Sequence, residues 1–200
     1  MSPWKKAAAL GALLFARVLL ADDWPGQQVM NIFSDDGSHF VRILPGESLG
    51  DTFGFAGAAK GAYAKAELYE RQPNRSYALV ADIQLVNPIG PIEAMLANSG
   101  HLITFDNWHN AGYGKVIALY DPRGKLIKAY ELEQLYDEAR LGKIPMSISS
   151  RWWRCRHMGW VDPPQQTKVF VFEHLGGNFA FRFADGGFEY SPGEAECQRR

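Results

Sequence analysis

The chain contains 200 residues, of which 46% are hydrophobic and 22% are charged, so it can bury one well-formed core and leaves little room for a second full-sized domain. Its formal net charge of −1 at pH 7 disfavours a general nucleic-acid role, because proteins that bind nucleic acids usually carry a basic excess that neutralises phosphates.

The amino-terminal residues 1–21 have the pattern of an export signal. Lys5 and Lys6 precede an apolar run over residues 7–16, which is too short to cross a bilayer as a helix. A short basic region followed by a short apolar run is typical of a secretory signal peptide. We therefore expect an exported protein that works in the periplasm or outside the cell.

Two features of this segment fit a cleaved signal less well. Arg17 interrupts the apolar stretch, and cleavage after Ala21 would place Leu19 where a small residue is preferred. The alternative is an uncleaved amino-terminal anchor, which would be the only contact with the membrane that we expect. Cleavage would remove three positive charges and no negative charge, changing the net charge from −1 to −4, and would leave residues 22–200 as a single β-rich domain.

Short strands that alternate with glycine-containing turns dominate the rest of the chain. The turn at residues 121–124, Asp-Pro-Arg-Gly, is typical: proline presets φ at its second position, and glycine accepts a positive φ without steric cost. Such turns predict antiparallel hairpins. In chain order, the predicted strands are residues 39–44, 62–71, 77–86, 92–97, 101–105, 115–120, 125–130, 168–173, 178–183 and 187–190.

The spacing of the turns leaves two architectures open. Gly37 and Gly124 are 87 positions apart, as are Gly100 and Gly187, which raises the question of an internal repeat. At about 40–50 residues per blade, the mature chain would supply about four propeller blades. We therefore predict a mainly β fold of antiparallel hairpins, either a small propeller-like structure or a twisted sandwich.

One stretch has helical periodicity instead. Leu132, Leu135, Tyr136 and Ala139 recur at intervals of three and four residues, and Gly142 follows where a helix would end. The pattern predicts one short helix near residues 131–141 that covers a face or an edge of a sheet. The charged residues between these positions would form its solvated side.

The chain has two cysteines, Cys155 and Cys197. An oxidising compartment would allow them to form a disulfide that ties the carboxy-terminal tail to a tryptophan-rich segment. Two unpaired thiols are the alternative. Neither cysteine shows the Cys-x-x-Cys spacing of a redox or zinc site.

Residues 104–114 combine a carboxylate, an imidazole, two amides, three aromatic rings and two glycines. Asp106 lies three residues before His109, and a carboxylate can orient an imidazole and raise its basicity, so this pair is the candidate catalytic pair of a hydrolase. No nucleophile motif accompanies it. The alternative is structural: Asp and Asn after a strand often bond to the local backbone, and Trp108 would then be a core anchor.

The sequence predicts no metal site and no cofactor. His101, His109, His157 and His174 could converge with Asp106 in space, but no pair has a diagnostic ligand spacing. Aspartates in several turns supply oxygen ligands for calcium, yet they complete no EF-hand-like series.

Recognition through aromatic side chains is the third hypothesis for these segments. Flat rings combined with amides and guanidinium groups suit an envelope glycan or a protein partner, and the basic run at residues 151–157 makes an anionic envelope component a reasonable ligand. The alternative is that Trp152 and Trp153 occupy opposite faces of a strand, with one in the core and one shielded by arginine stems. The candidate ligand-binding residues are Asn107, Trp108, Asn110, Tyr113, Arg151, Trp152, Trp153 and Arg154.

Four runs carry a resemblance to a known group of proteins. They are SDDGSHFVRI at 34–43, LITFDNWH at 102–109, GYG at 112–114 and SISSRWWR at 147–154. Together they resemble a group of uncharacterised exported bacterial proteins with propeller-like hairpins. The resemblance implies export and hairpin architecture, and it implies no activity, cofactor or catalytic residue.

The expectation is therefore an exported binding or structural protein of the bacterial cell envelope, with residues 106–113 and the Trp152/Trp153 segment lining one recognition surface. A hydrolase that uses Asp106 and His109 and a purely structural assembly component are the alternatives.

Overall fold

The computed structural model describes residues 24–193 and residue 197, apart from the side chain of His157. The predicted export segment lies outside these residues. Three antiparallel sheets of four strands follow one another along the chain, and each strand pairs with the next within its sheet. The first sheet contains β1 (Met30–Phe33), β2 (His39–Leu44), β3 (Lys65–Arg71) and β4 (Tyr77–Gln84). The second sheet contains β5 (Glu93–Leu96), β6 (Leu102–Phe105), β7 (Ile117–Tyr120) and β8 (Leu126–Tyr130). The third sheet contains β9 (Arg154–Val161), β10 (Lys168–Glu173), β11 (Gly177–Arg182) and β12 (Phe188–Pro192).

The second sheet lies between the other two. Strands β6 and β7 are buried at every position, because alternate residues face opposite cores. Leu102 packs with the buried side chains of the first sheet, whereas Ile103 packs with those of the third. The result is a twisted sandwich with two cores and no closed barrel among the described residues. The prediction of a mainly β fold of antiparallel hairpins is confirmed.

The spacing of 87 residues between the turn glycines does not correspond to the structural repeat of the fold. The sheets begin at Met30, Glu93 and Arg154, which are 63 and 61 positions apart, so the repeating unit is a four-stranded meander. Gly37 precedes the second strand of its sheet, whereas Gly124 precedes the fourth strand of the next sheet. The equal spacings therefore relate turns that are not equivalent.

The predicted helix consists of two single turns, α1 (Leu132–Leu135) and α2 (Glu138–Leu141). Tyr136 between them has extended backbone angles. Asp137 then caps the second turn, because its side chain accepts a hydrogen bond from the backbone N–H of Arg140. The apolar periodicity correctly placed Leu132, Leu135 and Tyr136 in the core, but the capping aspartate divides the helix.

The predicted disulfide is present. Cys155 on β9 is bonded to Cys197, with 5.2 Å between their Cα atoms. The bridge ties the carboxy-terminal tail to the third sheet. Within the described part of the chain, no helix is long and apolar enough to cross a membrane.

Candidate functional site

Asp106 joins two segments that are distant in sequence. Its carboxylate is buried, and Oδ1 accepts hydrogen bonds from the indole N–H of Trp153 (2.8 Å) and the backbone N–H of Gly112 (2.9 Å). Oδ2 accepts from the Nε of Arg154 at 2.8 Å. We call these four residues the Asp106 clamp. Because every donor is fixed, the clamp holds residues 106–114 against the chain that enters β9.

The loop that the clamp closes is tight. Asp106 and His109 both have positive φ, at 57° and 73°, a conformation that Asp and His tolerate better than most residues. Gly112 also has positive φ, and a Cβ atom there would lie 2.4 Å from the carbonyl oxygen of Arg151. Only glycine therefore allows the loop to approach Arg151 this closely.

His109 lies in an aromatic cluster rather than beside the carboxylate. Its ring centroid is 5.3 Å from that of Phe55 and 5.9 Å from that of Trp24, and burial lowers the pKa of the imidazole. Trp108 belongs to the same cluster, and its indole N–H donates to the carbonyl oxygen of Pro25 at 2.9 Å. Among the described residues, no hydrogen bond joins Asp106 to His109. The geometry therefore gives the hydrolase hypothesis no assembled acid–base pair.

Asn107 has its hydrogen bonds within the protein. Its amide N–H₂ group donates to the carbonyl oxygens of Tyr113 (2.7 Å) and Lys115 (3.3 Å). Its oxygen accepts from the side chain of Asn87 at 2.9 Å. These hydrogen bonds hold the loop in place, so the polar groups of Asn107 serve the loop structure rather than ligand binding.

A cavity of about 890 Å³ lies between this loop and the chain that follows β2. The glycine- and alanine-rich residues 50–56 form one wall, and residues 107–115 form the other. Ligand pockets usually have volumes of about 300–1,000 Å³. The lining residues are Gly50, Asp51, Thr52, Phe53, Gly54, Ala56, Tyr63, Val86, Pro88, Asn107, Asn110, Tyr113, Gly114, Lys115 and Glu131.

Stacked side chains join the two walls. The ring of Phe53 lies parallel to that of Tyr113, with 4.1 Å between centroids and 4° between planes. The guanidinium group of Arg151 lies 4.7 Å from the Tyr113 ring and pairs with Glu133 at 3.0 Å. Phe53 remains 54% exposed, which is high for a large apolar side chain. Its ring is therefore accessible beside the cavity.

Two buried polar atoms of the lining have no hydrogen-bond partner among the described residues. They are the hydroxyl oxygen of Thr52, which is 6% exposed, and the side-chain oxygen of Asn110, which is 2% exposed. The amide N–H₂ group of Asn110 donates to the carbonyl oxygen of Ser149 at 3.4 Å. A buried polar group without a partner costs about 1–3 kcal/mol. Each of the two atoms exposes less than 1 Å², so both are shielded from a ligand in this structure.

The charges around the cavity are balanced. Lys115 pairs with Glu131 at 2.8 Å across its rim. Asp51 pairs with Lys60 and accepts a hydrogen bond from the hydroxyl of Ser48, and these donors lower the pKa of the Asp51 carboxyl. The charged groups around the cavity are therefore paired, without an excess of either charge.

The structure separates the predicted ligand-binding residues into groups. Asn107, Asn110 and Tyr113 line the cavity, and Arg151 supports Tyr113 from behind. Trp108 lies in the cluster with His109 and Trp24. That the candidate residues line one recognition surface stays a prediction.

The tryptophan pair is split between core and surface. Trp153 is fully buried and belongs to the Asp106 clamp, whereas Trp152 is half-exposed. Both tryptophans precede β9, so they are not on opposite faces of a strand as the structural alternative assumed. That alternative was right that one ring is buried and the other is exposed. The flanking charges are paired as well: Arg154 contacts Asp106 and, at 3.0 Å, Glu93. Two arginines of the locally basic run, Arg151 and Arg154, are therefore paired with carboxylates.

Sequence reasoning missed the wall at residues 50–56. Its small residues carry no strand or helix periodicity, and the segment contains none of the predicted strands or candidate site residues. The signal that it contained was Phe53 and Phe55, two aromatic residues in an otherwise small-residue segment. Both contact the loop at residues 106–114.

The histidines do not assemble a metal site in the part of the chain that is described. The ring centroid of His101 lies 4.8 Å from that of Phe183, and His101 hydrogen-bonds to the Ser99 hydroxyl, whereas His109 contacts Phe55 and Trp24. Across the described residues, no group of three or more His, Cys, Asp or Glu side chains could hold a metal ion.

No protein-family model and no curated protein matches this chain. Among solved structures, the chain is similar to the crystal structure of HIRA(644–1017), with 9% sequence identity and a TM-score of 0.40. The similarity covers 86% of this chain and 57% of that one.

Proposed function

We propose that this protein is an exported binding protein of the bacterial cell envelope that recognises a glycan in the cavity between residues 50–56 and 107–115. One observation carries the proposal: the exposed ring of Phe53, stacked on Tyr113, lines a cavity of about 890 Å³ together with several polar side chains. Binding, rather than chemistry on the ligand, is the role that this combination supports.

The physical reason lies in the two kinds of surface that a sugar presents. The faces of a sugar ring are rich in C–H groups and can pack against an aromatic ring, while its hydroxyl groups need directional hydrogen bonds. Ligand sites commonly combine apolar or aromatic walls with a few placed polar groups. Aromatic rings also provide contact area without much conformational entropy to lose.

Two further features support the setting. A disulfide between Cys155 and Cys197 is compatible with an oxidising compartment, as expected for an envelope protein. The aromatic wall is also fixed before a ligand arrives, because Tyr113 lies between Phe53 and the Arg151–Glu133 pair. A preformed wall reduces the ordering cost of binding.

The test is binding of purified envelope glycans to the folded protein by calorimetry, before and after Phe53→Ala. We expect this change to weaken binding about tenfold or more, as the loss of a buried aromatic contact of roughly 1.4 kcal/mol or more would. Phe33→Ala is the matched control, because Phe33 on the first sheet is 57% exposed and lies outside the cavity lining. No binding by the folded protein, or equal binding by both variants, would reject the proposal and favour a structural assembly role.

A further inference from the structure

We infer that the hairpin at residues 145–152 inserts its apolar tip into a lipid bilayer. The hairpin carries three exposed apolar side chains: Met146 is 61% exposed, Ile148 is 95% exposed and Trp152 is 50% exposed. Single exposed apolar residues are common on protein surfaces, but a group of them on one projection marks a contact with a partner or a membrane. This inference does not depend on the cavity or on glycan binding.

The hairpin has a fixed shape. Two backbone hydrogen bonds close it: the N–H of Trp152 donates to the carbonyl oxygen of Pro145 at 2.8 Å, and the N–H of Ser147 donates to that of Ser150 at 2.7 Å. Trp153, which follows the hairpin, is fully buried and holds its base against the domain. The turn is therefore the end of an ordered projection, and its side chains are presented in a set direction.

The composition of the hairpin suits an apolar environment. Its one charged residue is Arg151, which pairs with Glu133 at 3.0 Å. No carboxylate lies in the hairpin itself, so none has to leave water when the tip does. Its remaining polar side chains are those of serines, and a hydroxyl costs much less to transfer from water than a charge.

The order of side chains along the hairpin matches the layers of a bilayer surface. Trp152 lies at the base, opposite Pro145, and Ile148 lies at the turn. Three steps along the chain separate these levels, which at about 3.3 Å per residue places the turn at most about 10 Å beyond the backbone of Trp152. Tryptophan is enriched at the membrane–water interface, and interfacial helices bury their apolar face by about 5–10 Å. Ile148 would therefore reach the acyl chains while Trp152 stays at the level of the headgroups.

The place of the hairpin in the fold favours a bilayer over a protein pocket as its partner. The hairpin rests on the loop at residues 106–114, where one of its backbone N–H groups donates to the carbonyl oxygen of Ala111 at 2.8 Å. Trp24 packs on the same loop, with its ring centroid 5.4 Å from that of Trp108. The predicted export segment, residues 1–21, comes just before Trp24 in the chain. A chain held in the membrane by that segment would bring this side of the domain to the bilayer.

The strength of the contact also fits a second attachment. A single myristoyl chain gives only marginal, reversible membrane binding, and stable attachment takes two contacts. The amino-terminal segment is the membrane contact that the sequence led us to expect, and the hairpin adds another. Because the one cation of the hairpin is paired with Glu133, insertion should depend on apolar contact rather than on anionic lipids.

The experiment measures tryptophan fluorescence of the protein with phosphatidylcholine vesicles whose acyl chains carry bromine, which quenches tryptophan at short range. The quenching that is lost in Trp152→Phe reports on the hairpin, whether or not residues 1–21 are retained. We expect a clear loss in Trp152→Phe. Ile148→Ser should weaken the Trp152-dependent quenching about fivefold or more, because it removes a large share of the apolar surface that leaves water.

Leu126→Ser is the matched control. Leu126 is 40% exposed and pairs with Tyr120, at the end of β7 opposite to the loop at residues 106–114. The control should leave the quenching unchanged. Ile148→Ser should also keep the urea midpoint of the unchanged protein, because its side chain is almost wholly exposed and contributes little to folding.

The outcomes are distinct from those for glycan binding. No Trp152-dependent quenching in a protein that unfolds cooperatively would overturn the inference and leave a protein pocket as the partner of the tip. Quenching that needs phosphatidylglycerol in the vesicles, or that high salt abolishes, would replace apolar insertion with charge-driven adsorption. Equal quenching in Ile148→Ser and Leu126→Ser would remove the role assigned to the tip. None of these results changes the test of the cavity with Phe53→Ala.

Discussion

Replacing Asp106 with Asn should cost about 3 kcal/mol in the free energy of unfolding. The change keeps the shape of the side chain and the acceptor for Trp153 and Gly112, but it puts an N–H₂ group against the Nε of Arg154. Removing one partner of a buried ion pair typically costs about 3–5 kcal/mol. We expect the lower end, because Arg154 keeps its second contact, with Glu93 at the surface.

The measurement is urea unfolding followed by tryptophan fluorescence, with the disulfide intact. Asp185→Asn is the matched control, because Asp185 also accepts from an arginine, Arg182, and from a backbone N–H, that of Gly187, but at an exposed turn. The control should change stability only slightly, since exposed ion pairs contribute little. If the two variants have the same urea midpoint, the Asp106 clamp does not contribute to stability by holding the loop.

The remaining predictions concern the bridge, a histidine and a buried acid. Cys155→Ser should lower the free energy of unfolding by about 4 kcal/mol, which is the value that the loop-entropy relation gives for a disulfide closing 42 residues. A reductant should lower the urea midpoint of the unchanged protein to a similar extent, and a midpoint insensitive to reductant would contradict the prediction. Burial lowers the pKa of His109 below 6.5 in the folded protein. As pH falls from about 6.5 through the folded pKa, the unfolded chain therefore binds the proton more readily and the folded protein loses stability. His109→Gln should reduce the fall in urea midpoint between about pH 7.5 and pH 5, and an unchanged fall would refute this prediction. Glu173 is fully buried, pairs with Arg140 and accepts a hydrogen bond from the hydroxyl of Tyr190 at 2.7 Å. Glu173→Gln should therefore lower the free energy of unfolding, measured in urea, by about 3 kcal/mol. A loss below about 1 kcal/mol would show that the ion pair is dispensable.

The hairpins could be predicted because their signals are local. The turn at residues 121–124 brings β7 and β8 together through its own proline and glycine, and apolar runs such as β6 and β7 identify strands that are buried on both faces. Strand β9 was missed, because arginines and a histidine interrupt its apolar pattern and its pairing with β10 decides its conformation.

The site could be predicted only in part, because its contacts join segments far apart in the sequence. Part of the loop at residues 104–114 lines the cavity, but the proximity of Asp106 and His109 in sequence suggested a pairing that the side-chain contacts do not show. A positive φ at both positions turns their side chains to different partners: Trp153 and Arg154 for the aspartate, Phe55 and Trp24 for the histidine. No local pattern encodes that divergence.

The two walls of the cavity are held by different forces, and this bears on how a ligand would be selected. Residues 106–114 are held by hydrogen bonds of the buried Asp106 carboxylate and of the Asn107 side chain. The wall at residues 50–56 contacts that loop through the stacking of Phe53, and Gly54 has positive φ with open space around it. Because directional hydrogen bonds need fixed geometry whereas ring contacts tolerate small shifts, the wall at residues 106–114 would set the shape that a ligand has to fit, and the aromatic wall would contribute mainly to affinity.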